Sequence, residues 1–190
     1  MKAVNLILLG FAGALAACNP DNTDPANGNT PDTDAALADN NALTDSTATS
    51  PAPAQAFVDQ MSASDLYEIE AGQLAQENGD SQKVKDFGTM MVENHNQSTS
   101  DLKAAAGSAS PPLGVAPSLT PAQDDMLQQL RDAGDGFDAL YARQQVTAHE
   151  AALKSLRDYA ANGQSAELRE FATKTANVVE KHLAEARKLP

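Results

Sequence analysis

The chain has 190 residues, with 13 Lys+Arg against 26 Asp+Glu, one Cys and no Trp. That length suits one domain with additional segments rather than two full domains. A net charge of −13 argues against nucleic acid and anionic bilayer surfaces as partners, since both are held through Lys/Arg patches, and a single Cys excludes an intrachain disulfide framework.

Lys2 is followed by the apolar run Val4–Ala17 and then Cys18. The run is too short to span a bilayer and fits the apolar region of a secretory signal. Leu15-Ala16-Ala17-Cys18 resembles the bacterial lipoprotein lipobox, an aliphatic and two small residues before the Cys. The resemblance implies cleavage after residue 17, lipidation of Cys18 and stable anchoring, because several acyl chains hold where one is marginal. Residue 19 is Asn rather than Asp, so the usual inner-membrane retention signal is missing. The expected address is the periplasmic face of the bacterial envelope, at the outer membrane.

Residues 18–53 read as an acidic tether after the lipidated Cys. Asn19 to Pro53 carries six Asp, no Lys or Arg and no aromatic residue, too little apolar surface to offset the entropy of ordering. A flexible segment of about 35 residues spans roughly 30–35 Å. It would hold residues 54–190 clear of the membrane.

Residues 54–190 carry helical periodicity throughout. In the first long helix, about 54–78, Phe57, Met61, Ser64, Glu68, Ala71 and Ala75 fall on one face, with a Gly79-Asp80 break after it. The second, about 81–106, has the stripe Val84, Gly88, Met91, His95, Ser98 and Leu102. A Pro/Gly/Ser-rich crossover, 107–119, leads to Thr120-Pro121-Ala122-Gln123, the residues of a capping box opening a short helix to 132. The third long helix opens at Phe137 with Asp135 as its expected cap, and Phe137, Tyr141, Ala148, Ala152 and Leu156 share a side with Gln145 and His149. After Asn162-Gly163, Ser165 caps a fourth long helix reaching about 189, with Leu168, Phe171, Thr175, Val178 and His182 pointing inward. The pattern predicts an all-α, four-helix bundle with a short extra helix in the crossover between the second and third long helices.

One polar residue per long helix faces inward: Glu68, His95, His149 and His182. Counting from the tight turns at about 1.5 Å per residue spreads the four over roughly 10 Å of bundle axis, so they form one cluster or two stacked pairs. Tyr141, Asp138, Gln145 and Asp65 share the phase needed to stand around them. Two readings stay open. Three neutral imidazoles and a carboxylate suit one transition metal ion such as Zn, Fe, Mn, Ni or Cu. The same residues also form a self-sufficient buried polar network, Glu68 accepting from histidine with Tyr141 and Gln145 closing it. Met90-Met91 is too sparse for a copper motif, and no phosphate loop, nucleophile elbow or Cys-x-x-Cys is present.

Phe57, Glu68-Ile69-x-x-Gly72, Val84-x-x-Phe87-x-x-x-Met91-Val92-x-x-His95, Gly134-x-x-Phe137-Asp138-x-x-Tyr141, His149 and His182-Leu183 resemble a bacterial family of periplasmic or outer-membrane proteins of unknown function. That family is placed in the ferritin-like superfamily. The resemblance covers about residues 54–189 and implies a ferritin-like bundle, without supplying an activity. The superfamily's di-iron sites use Glu-x-x-His; here Glu93 and Glu180 stand two residues before His95 and His182 and point outward, so di-iron oxidase chemistry is disfavoured. The leading expectation is therefore a non-enzymatic, membrane-tethered lipoprotein whose bundle serves interaction or stress adaptation, with an envelope protein as the candidate partner. The alternative is a mononuclear metal-binding or metal-buffering protein with Glu68, His95, His149 and His182 as ligands and Tyr141, Asp138 and Gln145 around them.

Overall fold

The computed structural model describes residues 51–190; the signal segment 1–17, Cys18 and nearly all of the 18–53 tether lie outside the described residues. Five α-helices follow one another: α1 Pro51–Asn78, α2 Gln82–Ser108, α3 Pro121–Arg131, α4 Phe137–Asn162 and α5 Ala166–Ala186. A single 3-10 turn, Gly134–Gly136, joins α3 to α4. No strand occurs among the described residues, and none of their helices is long and apolar enough to cross a membrane.

Helices α2, α3 and α5 start where side-chain chemistry supplies a partner for orphan amides. Ser81 accepts from the Val84 amide to open α2, and Ser165 accepts from Leu168 to open α5. At α3 the full capping box forms: Thr120 accepts from the Gln123 amide while the Gln123 side chain accepts from Thr120, with Pro at the first position. Asp135 departs from expectation. It lies inside the 3-10 turn, Gly136 occupies the cap position, and no side chain caps α4. The extra turn is made possible by Gly134 at φ +50°, a conformation L side chains avoid.

α1 with α2, and α4 with α5, form two tightly connected pairs that pack on each other through α2·α5 and α1·α4, while α3 lies against α1 and α4. The α1–α2 crossing is close enough to require glycine. A Cβ on Gly72 would meet the Gly88 carbonyl at 2.7 Å, and one on Gly88 would meet the Gly72 carbonyl at 2.6 Å and Ala75 Cβ at 2.8 Å.

The bundle has two apolar cores with a polar layer between them. One contains Phe57, Met61, Leu102, Leu156, Leu168 and Phe171. The other contains Tyr67, Val84, Met91, Leu127, Phe137 and Tyr141. Along α2 the order is Val84 and Met91, then His95, then Leu102; along α4 it is Tyr141, then His149, then Leu156. The polar layer is made by Asp65, Glu68, His95, Gln145, His149 and His182, all buried. On α5 the inward line runs one residue later than the sequence suggests: Val179 is buried and Val178 is 41 % exposed. The stripe Ala172, Ala176, Val179, Leu183, Ala186 lets α5 approach closely through alanines, which turns Val178 outward. α5 also ends at Ala186 instead of 189, and α1 begins at Pro51 instead of 54.

Candidate metal centre

His95 of α2, His149 of α4 and His182 of α5 converge in the polar layer. One ligating atom from each lies within 4.8 Å of those of the other two. Ring centroids stand 5.9 Å apart for His95–His149 and 5.5 Å apart for the two pairs with His182. Each ring uses one nitrogen to hold its position. His95 Nδ1 lies 2.8 Å from Asp65 Oδ1, and Asp65 Oδ2 accepts from Thr99 Oγ1 at 3.1 Å. His149 Nδ1 donates to the Gln145 carbonyl, one turn back on its own helix, at 2.8 Å. His182 Nε2 stands 2.9 Å from Asn94 Nδ2, and a free Nδ1 lone pair requires that amide to be turned over. The amide's two orientations are nearly isosteric: with Oδ1 toward the ring it accepts from Nε2–H and leaves the Nδ1 lone pair free.

The other nitrogens, His95 Nε2, His149 Nε2 and His182 Nδ1, are buried without a hydrogen-bond partner. Buried polar atoms are ordinarily satisfied, so three bare imidazole nitrogens on one cluster of histidines are an unusual feature of this interior.

Glu68 stands beside this triad. Its Oε1 is 3.6 Å from His149 Nδ1, and its Oε2 has no partner. Burial pushes its carboxyl up to about 7, opposed by the His95 charge and the Gln145 amide and reinforced by Asp65. The Gln145 amide nevertheless makes no hydrogen bond of good geometry, since both of its side-chain atoms are unpartnered. Burial drives His149 down to about 4 and His182 down to about 3, with the charge on His95 adding to both. His95 moves up: burial, its largest influence, works downward, but Asp65 and Glu68 together outweigh it. At neutral pH His149 and His182 are thus free bases, the protonation state in which imidazole binds metal.

A family model described as "Domain of unknown function (DUF4142)" matches residues 38–189. The chain belongs to the DUF4142 family. The match begins before Pro51 and so takes in part of the expected tether. No curated protein and no solved structure matches this DUF4142 chain.

Of the residues singled out in the sequence, the structure brings Glu68, His95, His149, His182, Gln145 and Tyr141 into or beside the polar layer. Asp138 does not join them. Its carboxylate accepts from the backbone amides of Asp80 and Ser81 at 2.9 and 2.8 Å, at the α1–α2 turn. Those two amides open α2 and need an acceptor, which a carboxylate at the start of α4 supplies. Asn94 and Thr99 were not anticipated. Asn94 precedes an inward histidine and Thr99 follows it by one turn, a weak signal that becomes specific only once α1 and α5 are in place.

Proposed function

We propose that this protein is a metal-binding helical bundle in which His95 Nε2, His149 Nε2 and His182 Nδ1 hold a single transition metal ion. The carrying observation is that three histidines whose ligating atoms gather within 4.8 Å of one another each keep one buried nitrogen without a partner, on a ring held through its other nitrogen. A histidine whose far nitrogen is bound to a carboxylate or carbonyl is the usual form of an oriented metal ligand. The all-nitrogen triad suits Zn, Cu, Ni or Fe(II) better than the hard cations Mg and Ca. A purely structural network would have closed these nitrogens on one another or on Glu68.

The finer architecture belongs to the same reading. α1, α2, α4 and α5 would be the four members of a ferritin-like bundle, with α3 as an addition in the crossover, and the metal would join three of them. Leu15-Ala16-Ala17-Cys18 supports a lipid-anchored form at the bacterial envelope, standing off the membrane on its acidic tether. Retention of wild type in the detergent phase, lost in Cys18→Ala, is the expected partitioning result; equal partitioning of both would remove the anchor.

Elemental analysis of the untagged protein from metal-replete cells tests the central reading. About one equivalent of a transition metal, absent in His149→Ala, is expected. Metal-free protein that also takes up none on titration would make the triad structural and return the bundle to an interaction role.

A further inference from the structure

Beyond the triad, further buried polar atoms among the described residues have no partner, and four of them belong to Glu68, Tyr141 and Gln145: Glu68 Oε2, Tyr141 Oη and both side-chain atoms of the Gln145 amide. Their residues are at most 1 % exposed. Tyr141, Gln145 and His149 succeed one another at four-residue steps on α4, so they stack along one face of that helix. Glu68 faces them from α1, within 3.6 Å of His149 Nδ1. Phe87 closes a side, edge-on to Tyr141 at 6.1 Å and to His149 at 6.3 Å. The chemistry is complementary, with the phenol and amide N–H groups as donors and the carboxylate and amide oxygen as acceptors. Yet these groups do not bond each other. Leaving one buried donor or acceptor bare costs about 1–3 kcal/mol, and the common remedy is an internal water with two to four polar partners.

We infer that Glu68, Tyr141 and Gln145 form a binding site for one solvent molecule beside the histidine triad, and that this molecule occupies the fourth position of the bound metal. The second half rests on the metal reading above. Three protein ligands plus solvent is the arrangement of an exchangeable metal site, whereas four protein ligands make a closed structural one. The ligand class is therefore water or a small molecule able to replace it. Glu68 acts through that ligand as a positioning residue.

The first arm of the test uses the metal-free full chain. Tyr141→Phe removes one polar atom and Gln145→Leu two, each either orphaned or solvent-bound. If solvent is held there, each variant melts several degrees below wild type and the double variant falls by less than the sum, because both lose one shared molecule. If both variants melt above wild type, the region is dry and the proposal is overturned.

The second arm loads wild type with one equivalent of Cu(II) in water enriched in the magnetic oxygen isotope and records electron–nuclear double resonance. A strong oxygen coupling, lost in Gln145→Leu at unchanged Cu(II) stoichiometry, is expected. Stoichiometric Cu(II) with no such coupling overturns the coordinated solvent while leaving the metal reading intact. Failure to take up Cu(II), Zn(II) or Co(II) defeats the metal reading and the coordinated solvent together, and the melting arm alone then decides the solvent site.

Discussion

His95 owes its usable geometry to Asp65. The carboxylate fixes Nδ1 at 2.8 Å and turns Nε2 toward the other rings, while Thr99 fixes the carboxylate. Asp65→Ala should lower metal affinity by 10–100-fold, the usual consequence of losing such support, in a competitive chelator titration; an unchanged affinity would count against the triad as the binding site. Acid should destabilise the metal-free protein. His149 and His182 titrate at about 4 and about 3 when folded and near 6.5 when unfolded, so between those values the unfolded chain binds more protons and stability falls as pH falls. Glu68 runs the other way, from 4.5 unfolded to about 7 folded. His95, raised above 6.5 when folded, is protonated in both states below that pH. Two histidines displaced further than one glutamate give a net loss. The urea midpoint should therefore be lower at about pH 4.5 than at about pH 6.5.

At the scale of single helices, most boundaries are legible in the sequence because local chemistry decides them, the cap of α4 at Gly136 rather than Asp135 being an exception. Thr120 and Gln123 announced the capping box, Ser165 its cap, and Gly79 and Gly163 the turns, because orphan amides and backbone conformation are settled within a few residues. Val178 faces outward, against the periodic expectation, because α5 packs through a line of alanines, and small residues on two adjacent lines leave periodicity ambiguous by one position. The inward phase of Glu68 and of the three histidines was legible from helical spacing. Their partners were not, since Asn94 meets His182 across 88 positions of sequence and Asp65 meets His95 across a hairpin. Gly72 and Gly88 lay on the expected faces, but only the crossing shows why neither tolerates a side chain. Gly88→Ala gains helix propensity of about 1 kcal/mol, yet it drives a methyl into the Gly72 carbonyl. A net loss of about 1–3 kcal/mol, typical of overpacking, is expected in chemical denaturation; a more stable variant would show that α1 and α2 can separate freely.

Across the whole molecule, the polar layer is assembled from both helix pairs. Metal should accordingly raise the melting temperature of the entire bundle, with a gain near 2.7 kcal/mol at about one hundred times the dissociation constant. His149→Ala should abolish that gain even where it folds. Thermal scans with and without Zn(II) check both statements. Asp138 adds a constraint of another kind. From the start of α4 it grips the amides of the α1–α2 turn, while His95 and His149 lie further along their helices by 14 residues from Ser81 and 11 from Asp138. A slip of α4 by one helical turn, about 5.4 Å, would exceed the 4.8 Å within which the triad's ligating atoms gather. The half-exposed carboxylate thus works as an alignment pin: it touches no imidazole, and it sets the axial register on which their meeting depends.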